Sequence, residues 1–223
     1  MVFRATSLLE NIYDIFFPLS PESTRVLCLP LSHLLEILPR ASAPSFTVKK
    51  FPIFVCFSYT HPDTRALVYA LKFEGSRKAA KRCAELMLKH LFEELNELEL
   101  FCGFKNPLVI PIPLSPKREA ERGFNQARRL AEHLLALSPK LGELECKALI
   151  RVKNTAQQAR IQNTKKRAKN VRGAFQVSNP QKIAGRYVLL IDDVLTTGAT
   201  AGECVRTLKK AGAREVYVVA FAH

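Results

Sequence analysis

Two adjacent carboxylates and a hydroxyl-rich turn are the residues of this chain best suited to chemistry. Asp192 and Asp193 directly follow four apolar residues, Val188 to Ile191, which predict a buried strand. After them come small and hydroxyl-bearing residues, namely Thr196, Thr197, Gly198, Ala199 and Thr200. A helical pattern then begins and continues to about Lys210. This order of strand, acid pair, turn and helix predicts a site for a phosphorylated sugar with a bound metal ion.

Each part of this stretch has a physical reason to bind such a ligand. A helix N-terminus leaves backbone N–H groups unpaired and carries partial positive charge, so it favours a phosphate. Gly198 lets the backbone approach that phosphate closely, and the threonine hydroxyls add donors. Carboxylates at the end of a strand can accept from ribose hydroxyls or hold Mg²⁺, directly or through water. We therefore predict Asp192 and Asp193 as the catalytic and metal-binding pair. The alternative left open is a buried strand, a capped helix and two solvated acids.

A second group of residues could bind pyrophosphate. The segment from Pro111 to Gln126 follows a predicted strand and leads into a helix, which brings three cations to the same edge of the sheet: Lys117, Arg118 and Arg122. Lys72, close to the helix-breaking Gly75, is a fourth candidate. Cations and Mg²⁺ stabilise the charge that develops on a departing pyrophosphate. Solvated charges at a helix start, and an ordinary surface lysine, remain the alternatives.

Positive charge is concentrated in one part of the chain. The formal net charge is +14, and the stretch between Glu145 and Asp192 contains eleven lysines and arginines and no acidic residue. Such a stretch attracts polyanions and strengthens their binding through counterion release. The nucleic-acid candidates within it are Arg151, Lys153, Arg160, Lys165, Lys166, Arg167, Lys169 and Arg172. The nearest aromatic residues are Phe175 and Tyr187, so contact with the nucleic-acid backbone is favoured over base stacking. Steering of a small polyphosphate, or solubility alone, would also account for the charge.

Composition bounds the class of protein. With 223 residues, of which 48% are hydrophobic and 24% charged, the chain can form one large α/β domain with a small appendage. No apolar run approaches the roughly 18 residues needed to span a bilayer, and no signal-peptide core is visible, so we predict a cytoplasmic protein without membrane insertion. The six cysteines lack the paired spacing of a zinc site. We predict no zinc and reduced thiols.

The coarse pattern divides the chain at about residue 50. Residues 1–50 are predicted as an appendage, with a helix over 4–16 and then loop containing a helical turn or a short hairpin. Residues 51–223 alternate strands with helices, which predicts a parallel sheet flanked by helices. The elements predicted there are strands over 53–59, 107–113 and 146–152 and near Val188 and Val216, helices over 62–72, 77–95, 124–137, 164–170 and 199–211, and a charged loop over 115–123.

The stretch from Tyr187 to Thr200 resembles the phosphoribosyl pyrophosphate (PRPP) motif of type I phosphoribosyltransferases. That resemblance implies that Asp192 and Asp193 hold the ribose hydroxyls and Mg²⁺. It also implies that the turn from Thr196 to Thr200 binds the 5-phosphate.

Several segments together are similar to the ComF family of phosphoribosyltransferase-like proteins, associated with DNA uptake in bacteria. They are Ala70-Leu-Lys-Phe-Glu-Gly75, Pro111-Ile-Pro-Leu114, Glu121-Arg-Gly-Phe-Asn-Gln-Ala127, Asn170-Val-Arg-Gly-Ala-Phe175 and the PRPP motif. The resemblance covers roughly residues 51–223 and implies a type I phosphoribosyltransferase-like fold. Many members carry a cysteine zinc module after an N-terminal Phe-Pro. In this chain Phe17-Pro18 has only Cys28 nearby, so the module is degenerate.

Three functions follow from these observations. The first is a PRPP-binding protein of DNA uptake that contacts single-stranded DNA through its basic stretch, with DNA-uptake helicase or recombination proteins as partners. The second is a conventional phosphoribosyltransferase acting on a small nucleobase, which would need a base-recognition element that residues 1–50 do not reveal. The third is a non-catalytic PRPP sensor.

Overall fold

The computed structural model describes residues 19–41, 51–153 and 170–223. Its centre is a five-stranded, all-parallel sheet in the order β1-β7-β6-β2-β3, beside a separate antiparallel ribbon of β4 and β5. The strands are β1 (Ile53–Phe57), β2 (Leu108–Pro111), β3 (Glu143–Leu144), β4 (Leu149–Arg151), β5 (Phe175–Val177), β6 (Tyr187–Val194) and β7 (Glu215–Ala222). The predicted fold class, a parallel sheet flanked by helices, is confirmed.

The helices cover both faces of this sheet. They are α1 (Pro21–Cys28), α2 (Leu31–Ile37), α3 (Pro62–Lys72), α4 (Arg77–Cys102), α5 (Pro116–Arg122), α6 (Gln126–Leu137), α7 (Pro180–Ile183) and α8 (Ala199–Lys210). Helix α4 is longer than predicted and ends at Gly103, which adopts a left-handed conformation. Among the described residues, no helix is both long and apolar enough to cross a membrane.

The alternation of β6 explains the two-sided core. Leu189 and Ile191 contact the side formed by α3, α4 and α6, whereas Val188 and Leu190 contact the side formed by α8 and the ribbon. All four residues are fully buried. A central strand that is apolar on both faces is typical of a parallel sheet between two helical layers, and it fixes the point at which the acid pair emerges.

The predicted loop over 115–123 is wrong, because residues Pro116–Arg122 form helix α5. Ser115 caps its first turn by accepting a hydrogen bond from Arg118 N–H, Pro116 occupies the first turn, and Gly123 ends it in a left-handed conformation. Every residue of this helix is at least partly exposed. The amphipathic periodicity on which helix prediction depends was therefore missing, while the caps supplied the local signal.

The prediction for residues 18–50, loop with a helical turn or a short hairpin, gave too little helix for the described part, residues 19–41, which contains α1 and α2. Val26, Leu34 and Leu38 pack into the same core as α3 and α4. The division at residue 50 stays a prediction. The strand predicted over 146–152 exists as β4, but it pairs with β5 in the ribbon rather than joining the parallel sheet. The helices predicted over 4–16 and 164–170 lie outside the described residues, apart from Asn170.

Candidate functional site

The carboxyl ends of the parallel strands open into a cavity of about 400 Å³. Ile112 N–H donates to Ile191 O at 2.9 Å, which places the segment after β2 beside the acid pair. Tyr59, after β1, lies at the same edge. Of the residues predicted from sequence, those lining the cavity are Lys72, Arg118, Arg122, Arg151, Asp192, Asp193, Thr196, Thr197, Gly198, Ala199 and Thr200. The fold thus gathers into one cavity residues that are spread over 129 positions of the chain, from 72 to 200 counted inclusively.

The acid pair is held by its own backbone. An Asp192 carboxyl oxygen accepts from Asp193 N–H at 2.9 Å, and an Asp193 carboxyl oxygen accepts from Val194 N–H at 2.7 Å. Asp193 is 7% exposed. Burial, and next the neighbouring charge of Asp193, raise the pKa of Asp192 well above its ordinary value. Such a pair attracts cations strongly.

One cation already lies at this pair. Lys72 Nζ is 3.3 Å from Asp193 Oδ2, and both side chains are largely buried. The lysine offered by the sequence as an isolated candidate is therefore in direct contact with the predicted catalytic carboxylates.

The hydroxyl-rich turn opens helix α8 with the backbone geometry expected of a phosphate cradle. Gly198 is the N-cap, with φ 67° and ψ 2°, a left-handed conformation that favours glycine. Thr197 Oγ1 is buried and, within the described part of the chain, has no hydrogen-bond partner. A buried hydroxyl without a partner costs free energy unless a ligand satisfies it, so this turn fits an incoming anion.

The cations of α5 divide between cavity and solvent. Arg118 and Arg122 line the cavity. Burial, and next the charge of Arg122, lower the pKa of the Arg118 guanidinium. Lys117, by contrast, is 72% exposed and lies 4.0 Å from Glu121 on the outer side of the helix. The helix therefore presents two of the three predicted pyrophosphate ligands.

Arg151 lies in the cavity, although the sequence offered it as a nucleic-acid candidate of the basic stretch. It is only 7% exposed and lines the cavity. Its guanidinium carbon lies 5.4 Å from the centre of the Phe175 ring. Burial, and next the charge of Arg118, lower its pKa, while Asp192 acts in the opposite direction. Arg151 is thus part of the cavity's electrostatics, and its assignment as a nucleic-acid contact stays a prediction.

Two of the sequence segments fit each other in space. Gln126 Nε2 donates to Lys72 O at 3.3 Å, and Arg129 donates to Gly75 O. The ring of Phe124 lies against Gly75, where an added Cβ would be 2.8 Å from Phe124 Cε1. The start of α6 therefore clamps the turn between α3 and α4 and fixes the direction of Lys72.

The ribbon is anchored to α8 in the same way. Glu203 Oε1 accepts from Gly173 N–H at 2.5 Å and also pairs with Arg206. Lys153 Nζ donates to Arg172 O at 3.3 Å, which joins the two sides of the ribbon. The helix that carries the phosphate turn thus also holds the segment before β5, the strand that pairs with the Arg151-bearing β4.

The remaining predicted nucleic-acid contacts lie away from the cavity or outside the described residues. Lys153 and Arg172 are exposed at the end of the ribbon. The five that fall outside the described residues are Arg160, Lys165, Lys166, Arg167 and Lys169. In the described part of the chain, no group of three or more His, Cys, Asp or Glu residues could hold a metal ion. Two carboxylates suit Mg²⁺ shared with substrate phosphates better than a site made by protein ligands alone. The predicted lack of zinc stays a prediction.

The comparisons with known proteins agree with this geometry. The model of the phosphoribosyl transferase domain family matches residues 79–223. The chain is 31% identical over 159 residues to DNA utilization protein YhgH of Salmonella typhimurium, with 70% of this chain and 66% of that protein covered. It is 35% identical over 113 residues to Competence protein F of Haemophilus influenzae, covering 49% and 47% of the two chains. It is 37% identical over 108 residues to Competence protein ComFC of Bacillus subtilis, covering 48% and 40%.

The chain therefore belongs to the phosphoribosyl transferase domain family. Within it, the curated relatives identify a ComF-family, phosphoribosyltransferase-like protein, although these matches span no more than 66% of their length. Among solved structures, phosphoribosylpyrophosphate synthetase from Mycobacterium smegmatis aligns with a TM-score of 0.38 and 14% identity, covering 78% of this chain and 54% of that one.

Sequence reasoning missed two kinds of contribution to this site. Asn125 and Gln126 were noted only as part of a family segment. They are buried and tie α6 to the ends of β2 and α3, respectively. Tyr59 and Phe73, which line the cavity, were given no role. Their aromatic character is visible in the sequence, but their placement depends on contacts between distant segments.

Proposed function

We propose that this protein binds PRPP with Mg²⁺ in the cavity and acts in DNA uptake, contacting single-stranded DNA through its basic stretch. The observation that carries the proposal is the single cavity that joins the acid pair, the phosphate turn and the cations. Relatives named for competence and DNA utilization support the biological setting. All six cysteines are free thiols, which fits the cytoplasmic location that we propose.

Each part of the cavity has a separate task in this proposal. Asp192 and Asp193 orient the ribose hydroxyls. The α8 N-terminus and the unpartnered Thr197 hydroxyl bind the 5-phosphate. Arg118, Arg122 and Lys72 neutralise the pyrophosphate. When bound, Mg²⁺ would be held by the acid pair and would supply charge neutralisation at the pyrophosphate.

Ligand-induced thermal stabilisation tests the PRPP site. We expect PRPP with Mg²⁺ to raise the Tm, because a ligand that binds only the folded state stabilises it by about 2.7 kcal/mol at 100 times Kd. Ribose 5-phosphate and pyrophosphate, each alone, should give smaller shifts. A Tm unaffected by all three ligands would overturn the proposal.

The salt dependence of oligonucleotide affinity tests the DNA contact. Exchanging Lys165, Lys166 and Arg167 for glutamine should reduce the slope of log affinity against log salt by roughly two, since each lost phosphate contact on a single strand removes about 0.7. A matched control replaces three exposed α4 lysines with glutamine: Lys78, Lys81 and Lys89. Equal slopes for the two triple variants would refute contact through the basic stretch.

Turnover separates the remaining functions. A conventional phosphoribosyltransferase would release pyrophosphate from PRPP when a nucleobase is added, whereas a sensor would bind PRPP without release. Arg118 and Arg122, which line the cavity, support turnover in this proposal, because cations beside a bound PRPP would stabilise the charge that develops on a leaving pyrophosphate.

A further inference from the structure

The mouth of the cavity carries an exposed aromatic pair. Phe73 lines the cavity and is 63% exposed, and Tyr69, one helical turn earlier on α3, is 50% exposed. Their ring centres are 5.1 Å apart with an interplanar angle of 37°. Two adjacent exposed rings at the entrance of a cavity with charged residues in its lining are a surface that a flat apolar ligand can cover.

The position of this pair is fixed by the same contacts that fix Lys72. Phe73 is the C-cap residue of α3, with its N–H donating to Tyr69 O at 2.9 Å. The carbonyls of Lys72 and Gly75 on either side accept from Gln126 and Arg129 of α6. The backbone that carries the ring is therefore held on both sides, and the ring packs against Tyr69 next to the lysine that contacts the acid pair.

A cation accompanies the aromatic ring. The Arg122 guanidinium carbon lies 5.4 Å from the centre of the Phe73 ring, and Arg122 also lines the cavity. An aromatic face for a base together with a cation for a phosphate is the combination that single-stranded nucleic-acid sites use. The lining of the cavity, with Phe73 beside Arg122 and Lys72, suits a ligand that carries both an apolar ring and an anionic group.

We propose that Phe73, packed against Tyr69 and accompanied by Arg122, is a stacking platform for one unpaired nucleobase at the mouth of the cavity. This inference rests on the proposed function and names the acceptor side of that same site. It also supplies a base-recognition element, which residues 1–50 did not reveal. The aromatic residues near the basic stretch, Phe175 and Tyr187, are buried within the core and are 5% and 8% exposed.

Two oligonucleotides and two matched variants test the platform. A short oligothymidylate and the same backbone without bases are titrated by fluorescence anisotropy. Phe73→Ala should lose about fivefold or more in affinity for oligothymidylate, since stacking contributes roughly 1–3 kcal/mol per base, and should bind the abasic strand as the wild type does. Phe92→Ala is the control, because Phe92 is 62% exposed on α4 and lies outside the lining of the cavity. Phe73→Trp should retain the preference for bases.

The outcomes separate this inference from the function on which it rests. Equal affinity of the wild type for both strands, or equal affinity of Phe73→Ala and Phe92→Ala for oligothymidylate, would overturn the platform even if PRPP binds. Absence of PRPP binding by the wild type would instead remove the phosphoribosyl function. Competition by thymidine monophosphate identifies the source of the base. If thymidine monophosphate displaces oligothymidylate from the wild type but not from Phe73→Ala, the platform binds a free nucleotide. If it displaces nothing while oligothymidylate still binds better than the abasic strand, the platform binds DNA.

Discussion

Lys72 and Asp193 form an ion pair in which Nζ lies 3.3 Å from Oδ2. The pair joins the last residue of α3 to the carboxyl end of β6, two elements that are distant in the chain. The hydrogen bonds from α6 to the turn after α3 therefore have a chemical consequence, because a shift of that turn would move the cation away from the acid pair. The pair is also a charged contact in a largely buried place, where an unpaired partner is costly.

Removal of this lysine should weaken both stability and PRPP binding. Lys72→Met leaves the Asp193 carboxylate without its cation, so we expect a loss of about 1–3 kcal/mol in the free energy of unfolding and roughly tenfold weaker PRPP binding. Urea denaturation and calorimetry measure the two effects. Lys81→Met, at an exposed lysine of α4 that lies 4.0 Å from Glu85, is the control and should change neither. A Lys72 variant that binds PRPP as the wild type does would refute the contact with pyrophosphate.

The hydroxyl of Thr197 should strengthen PRPP binding but contribute nothing to, or reduce, the stability of the free protein. Thr197→Val removes a buried oxygen that has no partner among the described residues, so we expect unchanged or higher stability, by up to about 1 kcal/mol, and weaker PRPP binding. Thr64→Val is a matched control, since Thr64 Oγ1 is buried and unpartnered in the same described set but lies on α3 in the core. Thermal denaturation and calorimetry of both variants decide the matter. Loss of PRPP affinity in both, or in neither, would count against the phosphate cradle.

The turn at Gly75 should tolerate no side chain. Gly75 has φ +61°, and a Cβ there would lie 2.8 Å from Phe124 Cε1. Gly75→Ala therefore combines backbone strain with a clash, and we expect a loss of roughly 2 kcal/mol or more. Gly123→Ala has a similar φ of +73° but open space among the described atoms around its Cβ position, so it isolates the strain. Equal destabilisation of the two variants, measured by chemical denaturation, would show that the Phe124 contact has little effect.

The anchor of the ribbon should make stability depend on pH. Burial acts to raise the pKa of Glu203, but hydrogen bonds from Arg206 and from Gly173 N–H outweigh it, so the pKa is lowered from its ordinary value of 4.5. A carboxyl with a lowered folded-state pKa stabilises the protein above its unfolded pKa, and this contribution is lost as pH falls through the folded pKa. We expect Glu203→Gln to be less stable than the wild type at neutral pH, and the difference to shrink progressively as the pH falls below the ordinary glutamate pKa of 4.5. Melting curves followed by circular dichroism test this, and a constant difference across pH would contradict it.

The parts of the site that were predicted from sequence depend on local signals. The acid pair and its turn lie between a fully buried strand and a helix. Their order along the chain was therefore enough to predict that they lie together at the end of the strand. Helix α5 was missed because its exposed, charged residues show no periodicity, although Ser115 and Gly123 cap it. The position of Arg151 in the cavity could not be predicted, because a charge in the sequence does not reveal its burial. Its pairing partner, β5, lies more than twenty residues away.

The contacts between Gln126 and Lys72, and between Glu203 and Gly173, could not be read from spacing for the same reason. They join segments that are 54 and 30 residues apart. Each contact holds a family segment in place. The motif is visible in the sequence, but the residue that it contacts is visible only in the structure.

Calorimetric titration of PRPP with Mg²⁺ into the wild type and into Asp192→Ala/Asp193→Ala tests the central claim most directly. Glu93→Ala/Glu94→Ala, an exposed acidic pair on α4, is the matched control, and circular dichroism verifies that all three proteins are folded. We predict micromolar-range binding by the wild type and the control, and loss of binding by the Asp192/Asp193 variant, because that variant lacks the groups that orient the ribose and hold Mg²⁺. Equal binding by all three proteins would show that Asp192 and Asp193 do not bind PRPP. No binding by the wild type would contradict the claim that this protein binds PRPP.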